Sequence, residues 1–381
     1  MTRFDRGLFG YLAAFLALGV ILYSACLLGA ASSTQDSSFN PFRKDQVDRA
    51  LERAIDFLLK LQQPDGSIFD SRSARPPRVG RNSTAMTSLA VLAIASVGHQ
   101  AGDDSPEGRA LLKALNCVLD PRRIQELDGS VYFGGRDGSR MYGHGITTLM
   151  LAELLGMGVD REQDRRIRER LEPALRLILR AQAVKKQDRY KGGWRYYPTS
   201  PDADLSVTVW QVMALRSAKN AGIPVPADAI KEAADYIRRS YGHARRGSSG
   251  TTPSPFAYQP GGRAQYSTAA AGLLALQVCG YYDDPTVKGA AEWLFRQQPR
   301  WGTSWLFYGT YYYAQGMYQR GGKYAQRASR VVRDLLLPHQ QPDGSWQAPS
   351  GQERTAGRVY ATALAVLSLS VKYHYLPIYQ R

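Results

Sequence analysis

Apolar residues at Val47, Ala50, Leu51, Ala54, Ile55, Leu58 and Leu61 follow the three-and-four spacing of one helical face, with polar residues between them. This stretch predicts an amphipathic helix that buries one side. Pro64-Asp65-Gly66-Ser67 then ends it, because proline cannot continue a helix and glycine takes the left-handed turn. Gln62 stands at the helix end, within reach of backbone groups in that turn. The same order recurs: Trp293-Leu294 before Gln298 and Gly302, and Leu335-Leu336 before Gln340 and Pro342-Asp343-Gly344-Ser345-Trp346. In all three copies the glutamine lies four residues before a glycine. A looser copy runs from Leu177-Ile178 and Gln182 through a longer loop to Gly193-Trp194.

After each turn the pattern changes to a second helix, more apolar and rich in small residues. Six such helices start near Ser83, Gly143, Asp204, Tyr266, Gly309 and Arg358. Each follows a more amphipathic partner, near 47–63, 109–119, 165–182, 226–241, 285–298 and 323–341. Twelve helices in six hairpins predict an all-α fold, an (α/α)6 toroid over 45–381. The small-residue helices form its inner ring and the charged ones its outer ring. Helix content far above the ~one-third base rate and the lack of any βαβ pattern exclude an α/β architecture.

Ahead of the toroid, Arg3 and Arg6 precede an uncharged run from Gly7 to Ser33. Residues 1–31 are therefore either a signal peptide, with small residues at Gly29-Ala30-Ala31, or a membrane anchor; 32–44 is a linker. Tyr23-Ser24-Ala25-Cys26 also admits lipidation. Each version exports the rest, to be membrane-anchored or to be periplasmic or secreted after cleavage. Cys117 and Cys279 then remain, both in apolar helical stretches where buried thiols are expected. A mean hydropathy of −0.35 excludes a polytopic membrane protein, and 44% hydrophobic content with 10% aromatics excludes disorder.

The helix–Gln–Gly–Trp unit resembles the QW motif of squalene and oxidosqualene cyclases, shared with protein prenyltransferase β subunits. GGWRYYP at 192–198 with DLSVTVWQ at 204–211 is similar to bacterial prenyltransferase and squalene-oxidase-repeat proteins. The resemblance implies a terpenoid-cyclase-like toroid that binds an isoprenoid or other apolar small molecule in a central cavity. In the cyclases a neutral Asp protonates an alkene or epoxide, and aromatic faces stabilise the cation. Carried over, the family's DxDD motif puts the proton donor at Asp204 and its first Asp at Asp202, with Leu205 in place of the last. Asp204 is equally placed to be an N-cap, a position that Ser83 and Ser267 hold in two other repeats.

Aromatic supply is ample, with 23 Tyr, 6 Trp and 11 Phe. Trp194, Trp210, Tyr266, Tyr311 and Tyr312 are candidate ligand contacts, as is His144 at the mouth of the second inner helix. Successive Tyr311-Tyr312-Tyr313 point different ways on a helix, so at most two reach a cavity. The five histidines show no paired spacing, and no metal or cofactor is expected. Asp283-Asp284-Pro285 reads as an N-cap with proline at the first helical position. Residues 242–265, with Arg245, Arg246 and Arg263, form a long loop that breaks the repeat and could cover one mouth.

Three functions remain open: a cyclase-like or prenyl-handling enzyme, a non-catalytic toroid binding a lipid, glycan or protein at the cell envelope, and a carbohydrate-active toroid enzyme. The formal charge of +16 is spread over the outer helices and that loop. No nucleic-acid motif accompanies it, so an anionic membrane or envelope polymer is the expected partner.

Overall fold

A computed structural model of the chain describes residues 44–70, 82–242 and 253–380. The leader 1–31, the linker up to Arg43, and Arg245 and Arg246 lie outside the described residues. Among those described no helix is long and apolar enough to cross a membrane.

Among the described residues fourteen α-helices carry the fold. The outer set is α1 (Gln46–Lys60), α3 (Pro106–Leu119), α6 (Arg161–Ala183), α8 (Ala227–Arg239), α10 (Pro285–Arg296) and α12 (Gly322–Leu336). The inner set is α2 (Ser83–Ala95), α5 (Arg140–Leu154), α7 (Leu205–Asn220), α9 (Tyr266–Val278), α11 (Leu306–Arg320) and α14 (Arg358–Leu369). Each inner helix packs on the next, and α14 returns to α2, so the ring closes as an α/α toroid. The inner helices are buried on nearly every side, whereas the outer ones bury a single stripe. Close inner packing relies on small residues: a Cβ at Gly309 would come 2.8 Å from the Tyr266 ring.

The repeated glutamine is a staple between outer helices. Gln62 Nε2 donates to Gly66 O in its own turn and to Ala110 O of α3, at 3.1 and 2.8 Å. Gln182 bonds Gly192 O and Ala229 O at 3.0 and 2.9 Å. Gln340 bonds Gly344 O and Ala50 O at 2.9 and 2.8 Å, joining the last hairpin to the first. The residue two after each glycine then hands its N–H to an inner-helix threonine: Ile68 to Thr87, Trp194 to Thr208 and Trp346 to Thr362, at 2.9, 3.0 and 3.0 Å. Trp194 and Trp346 also return their indole N–H to Ile178 O and Leu336 O.

One copy departs from its spacing. Gln298 faces the Arg327 guanidinium of α12, with its amide oxygen accepting from Nε at 2.9 Å, rather than donating to backbone carbonyls as the other three do. Gly302 has open space around it, and the Thr310 hydroxyl is buried without a hydrogen-bond partner. The copy that looked looser, at Gln182, is fully stapled.

Several local features differ from expectation. A short hairpin, β1 (Gln125–Leu127) with β2 (Ser130–Tyr132), and two short helices, α4 (Phe133–Arg136) and α13 (Gly351–Ala356), fill connections. Helices α5 and α11 begin three residues before Gly143 and Gly309. Ser83 and Ser267 lie inside their helices, not at the N-caps, which are Asn82 and Gln265. The described part of the long loop is anchored rather than structureless: Leu205 N–H donates to Tyr258 O at 2.8 Å, and Gln259 Nε2 to Ala203 O at 2.8 Å. Asp284 caps α10 with Pro285 at its first position, as read from sequence.

Candidate functional site

The first turns of all six inner helices converge on one cavity of about 1310 Å³. Its wall carries Tyr142, Tyr196, Trp210, Tyr258, Tyr308 and Tyr360, with Leu89, Ile146 and Val359 beside them. The volume exceeds the ~300–1,000 Å³ of ordinary small-molecule sites, which suits an elongated ligand. Tyr142, Tyr308 and Tyr360 are each the third residue of their helix, a register readable in RMY, LFY and RVY once the helix starts are known. Among the described residues Asp70 is the one carboxylate in the lining, and its Oδ2 lies 3.1 Å from Arg358 Nε.

Of the residues singled out from sequence, Trp210 lines this cavity. The others stand behind or below it. His144 is fully buried against Tyr132 and Phe133, with Nε2 3.1 Å from Ala174 O. Burial lowers its pKa to about 4, so it is neutral at ordinary pH. Trp194 is the staple tryptophan described above. Tyr266 packs on Tyr313 at 5.9 Å. Tyr311 stacks on Trp210 at 5.8 Å and meets the Tyr379 hydroxyl, while Tyr312 sits edge-on to Trp210 at 5.7 Å. These aromatics support the wall from outside. Arg263 is exposed and is not a lining residue.

Asp204 is the N-cap of α7: its Oδ1 accepts from Val207 N–H at 2.9 Å and from the Ser206 hydroxyl at 2.6 Å. Oδ2 makes no hydrogen bond and faces Arg195 Nη1 at 3.4 Å. The carboxyl is fully buried. Burial raises its pKa, against the downward pull of Ser206, Val207 N–H and the Arg195 charge. Asp202, partly exposed, lies 3.5 Å from Arg195 Nε, so one guanidinium gathers both aspartates. That cluster is screened from the cavity by Tyr196 and Tyr258, whose hydroxyls are 2.6 Å apart and whose rings lie under Arg195. Ser206 does line the cavity, and its hydroxyl also meets the Tyr142 hydroxyl.

Two more carboxylates cap inner helices from elsewhere in the chain. Asp137 accepts from Thr84 and Ala85 N–H at 3.1 and 3.2 Å, and Glu353 from Phe307 and Tyr308 N–H at 3.2 and 2.9 Å. Among the described residues no group of histidine, cysteine or acidic side chains is arranged to hold a metal ion, and Cys117 and Cys279 are free thiols.

No family model matches this sequence, and no curated protein matches it either. Solved structures do. A variant of the type II terpene cyclase MstE from Scytonema, in complex with its substrate geranylgeranyl dihydroxybenzoate, superimposes with a TM-score of 0.53 at 17% identity, covering 87% of this chain and 98% of that one. An inactive variant of the GH76A α-1,6-mannanase from Salegentibacter sp. HEL1_6, bound to α-1,6-mannotetrose, gives 0.56 at 9% identity over 86% and 99%. A glycosidase variant in complex with glucose gives 0.54 at 13% identity over 87% and 98%. At these identities the likeness is one of fold, the α/α toroid.

Proposed function

We propose that the central cavity binds an elongated apolar small molecule of the isoprenoid class. The observation that carries this reading is the wall itself: eight aromatic side chains, Phe69 and Trp305 among them, around about 1310 Å³, with Asp70 the one lining carboxylate among the described residues and that one held by Arg358. Hydrolysis of a glycosidic bond calls for two carboxyl groups flanking the bond, roughly 5–10 Å apart. Aromatic faces instead suit polarisable hydrocarbon and any cationic character developing on it. The prenylated ligand in the MstE complex supports the same reading.

Any acid-initiated cyclisation in this cavity would draw on Asp204. Its carboxyl is buried and retains its proton to higher pH than an exposed one, and the Ser206 hydroxyl stands between it and the cavity. A second reading, binding of a sugar chain, is favoured by the same aromatic faces and by the two sugar complexes among the similar folds.

The test is binding and turnover of squalene, geranylgeraniol and a mannotetraose control by the purified protein and by Asp204→Asn, which keeps the cap and removes the acid. Isoprenoid binding with no sugar binding is the expected result. A product that disappears in Asp204→Asn while binding persists assigns the acid; a variant equal to wild type in turnover removes that role. Binding of mannotetraose alone overturns the isoprenoid reading.

A further inference from the structure

Among the described residues, three of the four glutamine turns are seated against their neighbours and one is not. Seating has three marks. The glutamine donates to a carbonyl of the next outer helix, the glycine presses on that helix, and the residue two after the glycine gives its N–H to an inner-helix threonine. A Cβ at Gly66, Gly192 or Gly344 would come 2.3, 2.1 or 2.1 Å from Lys113 O, Glu232 O or Arg53 O. Such an approach needs a bare, left-handed glycine, and these have φ 88, 86 and 88°.

The turn from Gln297 to Trp305, between α10 and α11, carries the same parts unseated. Gly302 has the same φ of 88° yet meets nothing within 4 Å. Ser304, two residues on, is exposed, and no described residue accepts from its N–H. Thr310 is the fifth residue of α11, as Thr87 and Thr362 are of α2 and α14, and its hydroxyl is buried without a partner. Burying a hydroxyl unpaired costs free energy that one incoming N–H would recover. On α12, Ala328 stands twelve residues before Gln340 as Ala50 stands twelve before Gln62. Its carbonyl is therefore the acceptor that the repeat provides for Gln298.

What holds the turn out is visible as well. The Arg327 guanidinium of α12 donates to the Gln298 amide oxygen and lies over Phe295, 4.5 Å from the ring centre. Trp301 stacks on His339 at 3.6 Å. At its far end the turn runs into Trp305, which is strained at φ 57°, is 37% exposed and lines the central cavity. Movement of the turn therefore reaches the cavity through Trp305.

We propose that the Gln297–Trp305 turn is a two-state strap, undocked in this structure, whose docked state seats Ser304 N–H on the Thr310 hydroxyl and Gln298 on Ala328 O and shifts Trp305 at the cavity edge. Arg327 is the latch of the undocked state, because it holds the Gln298 amide away from the α12 backbone. Docking exchanges one charge-assisted hydrogen bond for neutral ones, a balance that a single substitution can tip. The strap does not depend on which ligand the cavity takes.

Amide hydrogen exchange of the full chain, followed by mass spectrometry of the peptide spanning 299–306, tests this. In the native protein that peptide should exchange at least ~10-fold faster than the seated turns at 64–68 and 342–346. Arg327→Ala releases Gln298 and should slow exchange across 299–306 by ~5-fold or more, the change that one neutral hydrogen bond supplies. Adding Thr310→Val to Arg327→Ala removes the acceptor and should restore the native rate. Adding Gly302→Ala instead puts a methyl between the turn and α12 and should do the same. Three results each overturn the strap: an Arg327→Ala protein that exchanges like wild type, protection that survives Thr310→Val, or a native turn already as slow as the seated ones.

Discussion

Gly302 and Gly344 share a backbone conformation, φ 88° at each, but not a neighbourhood. A Cβ at Gly302 would meet nothing within 4 Å, whereas at Gly344 it would come 2.1 Å from Arg53 O of α1. Alanine at either position takes on left-handed strain of about 1–2 kcal/mol, partly offset by a less flexible unfolded chain, for a net of about 1 kcal/mol. At Gly344 the α1 carbonyl must also retreat by about 1 Å. That stretches the Gln340 bond to Ala50 O on the same helix, now 2.8 Å, out of range. One neutral hydrogen bond adds about 1 kcal/mol, so Gly344→Ala should cost about 2 kcal/mol. Urea unfolding followed by helical circular dichroism reads both variants, with an unchanged m-value required for the comparison. Midpoints that agree to within about 0.5 kcal/mol would refute the close-approach account and leave only backbone strain.

Glu153 is fully buried, accepts from Ser217 Oγ and from Ile378 N–H at 3.1 Å, and is pushed by burial from 4.5 up to about 7. The folded chain therefore holds a proton that the unfolded chain releases near 4.5. Its stabilising contribution is complete below that value and is lost as pH rises through about 7, by about 3 kcal/mol at most. Glu153→Gln should flatten the stability profile across this window, and a slope identical to wild type would sink the assignment. Thr362→Val removes the acceptor of the buried Trp346 N–H and should cost about 1–3 kcal/mol. Thr310→Val, which deletes a buried hydroxyl with no hydrogen-bond partner, should be neutral or stabilising when both variants are unfolded in urea, and a loss equal to that of Thr362→Val would contradict the difference in partners.

The repeat was legible because it is local. A helix end, a proline, a left-handed glycine and a glutamine four residues back are chemistry within one turn. The alternation of amphipathic and small-residue helices then predicts two concentric rings, and the structure has them. Gln298 shows the limit of spacing: its sequence matches, yet Arg327, from the neighbouring outer helix, captures the amide.

Sequence by itself therefore determined the all-α class, the six hairpins and most of the staples. Which side chains face the cavity was decided only by tertiary structure. Amphipathicity reports orientation when one face is wet, and the inner helices are buried nearly all round, so their sequences carry no stripe to mark the inward side. That is why Tyr311, Tyr312, Tyr266 and His144 stood out as aromatic or titratable residues on inner helices, while Tyr142, Tyr196, Tyr258 and Tyr360 did not. The caps supplied by Asp137 and Glu353 were hidden for the same reason. They depend on how helices far apart in the chain are rotated and set against one another, and closure of the ring fixes that.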